Sequence, residues 1–478
     1  MDAITHWNDA AQEADRVTHT TLDPREASAR GPAGSSRAFA IVHLAMHDAY
    51  FSIVTPASGA IATYLGALLL PPPAGASEEA AIAAAAHATL SALYPAQKAY
   101  FDARHAAAGL SGPGLFEGHA HGLTVARVML DLRQGDPTTG DDGHAASVAR
   151  SAHRPDPDNP TQGYHAPHYG ARAACFAVTA RPTLDPPPAL GTLEYNDALE
   201  EVRGKGIAPE LMGTLPAGVT ARTPQETLIG VFWAYDGAKG LGTPPRLYNR
   251  IVRQIADAQA NTIDQNARLF ALVNAAMGDA GILAWDDKYR HDLWRPVVGI
   301  REHDPSMGPT GAAGNVLDAD CDLGWLPLGA PKTNETGAKN FTPPFPAYPS
   351  GHATFGAAAL QTTRRYFGVD EDGPDGLADG LSFVSEELNG ANTDNRGTIR
   401  PRHVREFPDG LWQMIEENGR SRVYLGVHWV FDAFLPDSST GEMDLSQNVG
   451  GVRLGLDIAN NLAADGLLQA NADGPRIP

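Results

Sequence analysis

The sequence predicts a mainly α-helical protein, built as two helical bundles with long irregular loops, and three observations carry that expectation. Residues 37–54 (RAFAIVHLAMHDAYFSIV) and the Ala-rich run 78–94 have helical propensity and period. Farther along, Leu269, Leu272, Val273, Ala276, Met277 and Ala280 recur at the spacing of one helix face. Strand signals are scarce, whereas Gly and Pro crowd residues 303–345, which have few periodic apolar positions and a length typical of functional or disordered loops.

In chain order, the PPP at 71–73 separates two helices of the first half, because proline cannot continue a helix. The run RPTLDPPPAL at 181–190 interrupts the helical pattern and marks a boundary between an N-terminal bundle, 1–190, and a C-terminal bundle, 191–478. At 478 residues and 43% hydrophobic content the chain can bury a sizeable core. Its net charge of −20 argues against nucleic acid or an anionic membrane as a partner, since both recruit basic surfaces. Two cysteines, Cys175 and Cys321, give no disulfide framework and no metal-binding spacing. The acidic start MDAITHWNDAAQEADRV has no apolar core, and apolar stretches such as YLGALLLPPP are too short to cross a bilayer; the expectation is an intracellular protein, cytoplasmic by default.

The stretch FPAYPSGHATFG at 345–356 opens a helix behind a run of prolines. Ser350 there is a natural N-cap, and a helix N-terminus offers free N–H groups and partial positive charge to an anion. Taken alone it is only a helix start. Upstream, AWDDKYRHDLWRPVVG carries Lys288 and Arg295 seven residues apart; on a continuous helix they share a face and reach opposite edges of one oxyanion. Downstream, ENGRSRVYLGVHWVFDA places Arg422 six residues before His428, off register on a straight helix, so either Arg422 wraps around or the helix is disturbed near Gly426. Each pair has a plainer reading, a solvated basic face or a core histidine. Together, two arginines, a lysine, a serine, a glycine amide and two histidines can hold a multiply charged, phosphate-shaped oxyanion. One histidine can bond its central atom, and the other can move protons.

Lys288, Arg295 and Pro296, then PSGH at 349–352, then Arg422 and His428 resemble the three-part signature shared by vanadium-dependent haloperoxidases and type 2 phosphatidic acid phosphatases. The segments FWAYDG (232–237), GTPPRLYN (242–249), DAGILAW (279–285), PPFPAYPSGHATFG (343–356) and SEELNG (385–390) are similar to the fungal-type vanadium chloroperoxidases. The resemblance implies two bundles with the active site in the C-terminal one, and a vanadate (vanadium(V)) cofactor without haem or flavin. It implies His428 as the ligand of the metal, with Lys288, Arg295, Ser350, Gly351 and Arg422 binding vanadate oxygens. His352 and Lys288 are then the catalytic pair: His352 takes the proton of hydrogen peroxide and Lys288 polarises the activated oxygen, which halide attacks to give hypohalous acid. Asp236 would hold the Arg422 fork, and Trp285, Pro343, Pro344 and Phe345 would wall the halide pocket. Asp432 reads more simply as a helix-face acid than as a partner of His428. His291 stands where the pattern is usually apolar. In family members resembling algal bromoperoxidases a histidine commonly holds the place of Phe345, so this chain carries the chloroperoxidase-like choice. The implied partners are hydrogen peroxide, halide (chloride or bromide) and a small organic acceptor; the sequence leaves the oligomeric state open. A soluble acid phosphatase acting through a phosphohistidine at His428, or a non-catalytic oxyanion-binding protein, remains an alternative.

Overall fold

The computed structural model describes residues 2–141, 143–309, 311 and 321–477. Over these the chain forms helices α1 (Ala3–Thr21), α2 (Gly31–Phe51), α3 (Glu78–Leu93), α4 (Lys98–Ala107) and α5 (Leu115–Leu132) in its first part. The short α6 (Tyr169–Arg172), α7 (Leu193–Lys205), α8 (Pro224–Phe232), α9 (Pro244–Ala258) and the long α10 (Ile263–His291) follow. The last four are α11 (Pro296–Arg301), α12 (Gly351–Tyr366), α13 (Gly410–Tyr424) and α14 (Gly450–Asp465). A two-residue antiparallel pairing of Leu435–Pro436 with Met443–Asp444 is the only β-sheet among the described residues.

Helix α10 organises the molecule. Thr262 and Gln265 form a capping box at its start, satisfying two N-terminal donors reciprocally. Helix α2 packs along one side of it, backed by α3 and α5; α12 and α14 cover the other, with α9 and α13 against α12. The sequence pattern predicts one apolar face on α10, but the helix is buried on every face from Leu269 to Lys288, as a helix between two layers must be. It also corrects the expectation about bilayer-length segments. By length and composition this helix could cross a membrane, yet its apolar window is 94% buried inside the fold.

Buried apolar side chains from before and after residue 190 fall in one contiguous cluster, from Ile4 to Leu467. The Pro-rich run at 181–190 lies across this body, with Asp185 N–H bonded to Asn448 O and Asp185 O accepting from the Tyr348 hydroxyl at 2.6 Å. In the Gly/Pro-rich stretch 303–345, positions 310 and 312–320 lie outside the described residues. The rest is tied down by bridges of Pro327 to Ile207 and of Ala330 to Phe341, and delivers the chain to the start of α12.

Candidate active site

Two breaks in helical regularity bring the site together. At the C-terminus of α10, Asp292 turns left-handed (φ 48°) and caps back to Lys288 O, so the helix stops before Arg295. Arg295 is instead the extended residue before Pro296, a conformation proline imposes on its predecessor. This corrects the expectation of one continuous helix: Lys288 and Arg295 converge from two elements. At the end of α13, Gly426 takes φ +73°, where a Cβ would fall 2.4 Å from Gly206 O. Arg422 therefore lies on the helix and His428 on the chain after the break, which decides between the two sequence alternatives.

His428 is oriented from behind. Its Nδ1–H donates to Asp432 Oδ2 at 2.7 Å, and the Trp429 amide donates to the same oxygen at 3.0 Å. Asp432 is fully buried in the short turn Val430–Asp432, and its backbone carbonyl accepts from the Ser350 amide at 2.7 Å. It is not the helix-face acid expected from sequence, because no α-helix continues past Tyr424 to give it such a face. A guanidinium can only donate, so the 2.8 Å contact from Arg295 Nη1 identifies His428 Nε2 as a lone-pair nitrogen turned toward the cations. Burial, with Arg295 and Lys288 adding to it, keeps the His428 ring neutral, while burial lifts Asp432 to about 7 against the pull of those cations.

A second histidine faces this one. His352 follows the N-cap Ser350, whose hydroxyl accepts from the Ala353 amide at 3.4 Å, leaving its own hydrogen to donate elsewhere. The His352 Nε2 lies 2.6 Å from Ala234 O, a pure acceptor, so Nε2 carries the hydrogen and Nδ1 the lone pair. Burial and then Arg422 push this imidazole down to about 3. Ala234 O and Asp236 flank Tyr235, a non-glycine residue at φ 48°, a conformation that persists only where its surroundings hold it. Here the Tyr235 ring is buried and its hydroxyl accepts from Glu386 N–H at 2.9 Å. The turn aims Ala234 O at His352 and Asp236 at Arg422, whose Nη1 and Nη2 donate to it at 3.0 and 2.7 Å. Asn418 and Tyr248 both donate to the His352 carbonyl, locking the first turn of α12.

The cations are buried and crowded. Lys288, Arg295 and Arg422 are at most 1% exposed. Burial and Arg295 bring Lys288 well below the usual lysine range, and burial with Arg422 brings Arg295 down to about 9. Lys288 Nζ donates to the carbonyls of Pro346, Ala347 and Pro349, which takes up its three hydrogens and fixes its charge in the loop before α12. Arg295 Nη2 and Arg422 Nε are buried donors with no partner in the protein. Such donors beside mutually repelling cations fit a multiply charged oxyanion. Gly351 fits it as well, since a Cβ there would press to 3.3 Å from the Trp285 ring and the N–H of a first helical residue has no intrahelical partner.

A cavity of about 160 Å³ opens in front of these groups. His352, Arg422, His428, Gly351 and Asp236 form its polar end, and Trp285, Pro343, Pro344 and Phe345 its apolar wall. The Trp285 and Phe345 rings lie 4.9 Å apart, and Arg295 Cζ and Lys288 Nζ lie 5.0 and 5.2 Å from the Phe345 centroid, so this ring separates the cations from the cavity's apolar end. His291 is elsewhere, its ring edge-on to Tyr348 at 5.2 Å. Sequence reasoning missed Pro32, His165, Phe341 and Phe355 in the wall. Gly31, Pro32 and His165, which precede residue 190, line the cavity beside polar groups that all come from beyond it.

Fold and cradle together define a helical-bundle protein with a buried site for a phosphate-shaped oxyanion between two histidines. The sequence matches the vanadium chloroperoxidase N-terminal domain over residues 1–112 and the VCPO second helical-bundle domain over 268–438. It is 35% identical to the vanadium chloroperoxidase of Curvularia inaequalis, over 97% of this chain and 90% of that protein. The chain belongs to the vanadium chloroperoxidase family. Its fold is also that of a bacterial vanadium-dependent iodoperoxidase (TM-score 0.65, 18% identity, 96% of this chain and 95% of that one). An apo-type bacterial vanadium-dependent chloroperoxidase is similar at TM-score 0.60 and 16% identity, over 94% of this chain and 97% of that one.

Proposed function

We propose that this chain is a vanadium-dependent haloperoxidase that oxidises chloride or bromide with hydrogen peroxide to hypohalous acid, using vanadate and neither haem nor flavin. The observation that carries the reading is the buried cradle itself: unpartnered guanidinium donors of Arg295 and Arg422 beside the lone pair of His428 Nε2. Bound vanadate supplies a Lewis-acidic centre that activates peroxide without changing oxidation state. His428 would be its protein ligand, with Arg295, Arg422, Ser350 and Gly351 holding its oxygens, and Lys288 joining them on release of one of its three backbone carbonyls. Arg295 Nη1 now donates to the very nitrogen that would bind the metal, so loading requires this guanidinium to turn from His428 to the oxyanion. The Asp236 carboxylate keeps the Arg422 fork planar to the site. His352, neutral and with Nδ1 unprotonated, accepts the proton that peroxide gives up. Lys288 fixes positive charge behind the reacting oxygen, an effect strengthened by the dry wall of Trp285 and Phe345. Residues before 190 would form one bundle and the rest the bundle bearing the oxyanion site.

The test is halogenation of monochlorodimedone after reconstitution with orthovanadate. Activity with bromide, absent without vanadate, is the expected result, and chloride turnover at about pH 4–7, where histidine acid–base groups titrate, supports the chloride reading. Phosphatase activity with no halogenation would instead favour the phosphohistidine alternative, toward which the family relatives do not point.

Two further outcomes follow from the geometry. Phosphate should compete with vanadate during loading, because charge and shape are what the cradle recognises; full activity after prolonged phosphate exchange without vanadate would contradict the cofactor. Asp432→Asn keeps an acceptor near His428 Nδ1 but removes the charge, and an outer partner of this kind is worth on the order of 10–100-fold in metal affinity. Vanadate affinity measured by dialysis should fall by that factor, and an unchanged value would mean that Asp432 only packs.

A further inference from the structure

Three histidines line the cavity among the described residues: His352 and His428 at its polar end, and His165 on the apolar wall. His165 is fixed from several directions. Its amide donates to Pro344 O at 2.9 Å, and its carbonyl accepts from Trp285 Nε1 at 3.1 Å and from the Tyr289 hydroxyl at 2.8 Å. The next residue, Ala166, is held at φ 56°, an uncommon conformation for a residue with a side chain. The ring stands edge-on to Trp285 at 5.8 Å and lies 6.1 Å from Phe345. On its other side is Gly31, where a Cβ would come within 2.4 Å of Cε1 and 2.6 Å of Nε2, so the ring's position depends on a glycine there. Nε2 is shut off from water and has no protein partner, so it carries the ring's lone pair; the hydrogen lies on Nδ1, which is not among the buried unpartnered atoms. Burial, with His19 adding to it, lowers the imidazole to about 4, so near neutral pH it is uncharged, with one N–H and one lone pair. Space filling alone does not explain a polar ring held in place beside two aromatic rings.

We propose that His165 is a specificity-determining residue of the halide cavity, its Nδ1–H donating a hydrogen bond to the halide from the apolar wall. This rests on the haloperoxidase reading above. A hydrogen bond to an anion strengthens with the anion's charge density, so this donor favours chloride over bromide and bromide over iodide. An all-aromatic wall would favour the larger, more polarisable ions.

The experiment is steady-state kinetics of the vanadate-loaded wild type, His165→Phe and His165→Gln with chloride, bromide and iodide at saturating peroxide. In His165→Phe the KM for chloride should rise on the order of tenfold or more, as loss of one hydrogen bond to a charged group predicts, with iodide little affected and kcat largely kept. His165→Gln, which retains a donor, should recover part of the chloride preference. Vanadate affinity by equilibrium dialysis should match wild type in both. A parallel measurement needs no folded Phe variant: in 15N-histidine-labelled holoprotein, the ring signal absent from His165→Gln should move and saturate as chloride is added. An active wild type whose His165→Phe variant keeps the same halide ratios, loses all halides equally, or a His165 signal indifferent to chloride, overturns the proposal. A loaded wild type that oxidises no halide overturns the functional reading beneath it, so the two failures are distinct.

Discussion

A His428→Ala protein should retain no tightly bound vanadate in equilibrium dialysis. Arg295, Arg422, Lys288, Ser350 and Gly351 offer hydrogen-bond donors and charge, whereas His428 Nε2 offers a lone pair that Arg295 meets directly. The ring cannot turn away, because Nδ1–H is committed to a buried carboxylate that itself accepts from the Trp429 amide. Losing the ligand removes the coordinate bond, and the effect should exceed the ~10–100-fold attached to an outer partner such as Asp432. What survives is an electrostatic cradle. Arg295 and Arg422 stay buried with donors to spare, so the variant should still bind phosphate about as the wild type does, and should hold vanadate no more tightly than phosphate. That equality is the sharper readout, since it separates loss of one bond from collapse of the pocket. Tight vanadate binding by the variant would assign the ligand elsewhere.

How far the sequence exposed all this depended on the kind of interaction involved. Helices were legible where period and caps are local: the α12 start at Ser350 and the α2 and α3 segments follow from propensity and capping chemistry. The full burial of α10 was not, because its charged and small positions, such as Asp279, break the apolar pattern. Asp279 is buried all the same, its carboxylate taking the amides of Phe176, Ala177 and Val178 from a distant loop. Among site residues, cationic and imidazole side chains announced themselves by type. Their directions did not, since the breaks at Asp292 and Gly426 are set by backbone conformations that only tertiary packing stabilises. Asp432 was misjudged for that reason: its spacing from His428 reads as helical, whereas the chain there makes a short turn. Ala234 was invisible in principle, because it acts through its carbonyl. His165 was missed because its neighbours in space, Gly31 and Phe345, lie more than a hundred residues away on either side.

His352→Ala should bind vanadate within about tenfold of wild type and yet lose on the order of a hundredfold or more in turnover, the usual contribution of a positioned acid–base group. The two halves of this expectation come from one observation. His352 Nε2–H is spent on Ala234 O, so the ring holds no donor toward the oxyanion and its removal leaves the charges of Arg295, Arg422 and Lys288 in place. What it offers the cavity is the lone pair on Nδ1, kept free because burial and Arg422 hold the ring at about 3 without the anion. A negative oxyanion beside Arg422 offsets that repulsion and moves the value upward, toward the mildly acidic range where the base must work. The wild type should therefore show an acid limb in kcat/KM lying above pH 3, as protonation of the base removes it, and His352→Ala should lack that limb along with most of its rate. Added imidazole, small enough for a cavity enlarged by the missing ring, should restore part of the turnover. The expectation fails on unchanged turnover, or on a variant that keeps the acid limb at reduced rate, since either would put the proton on another group.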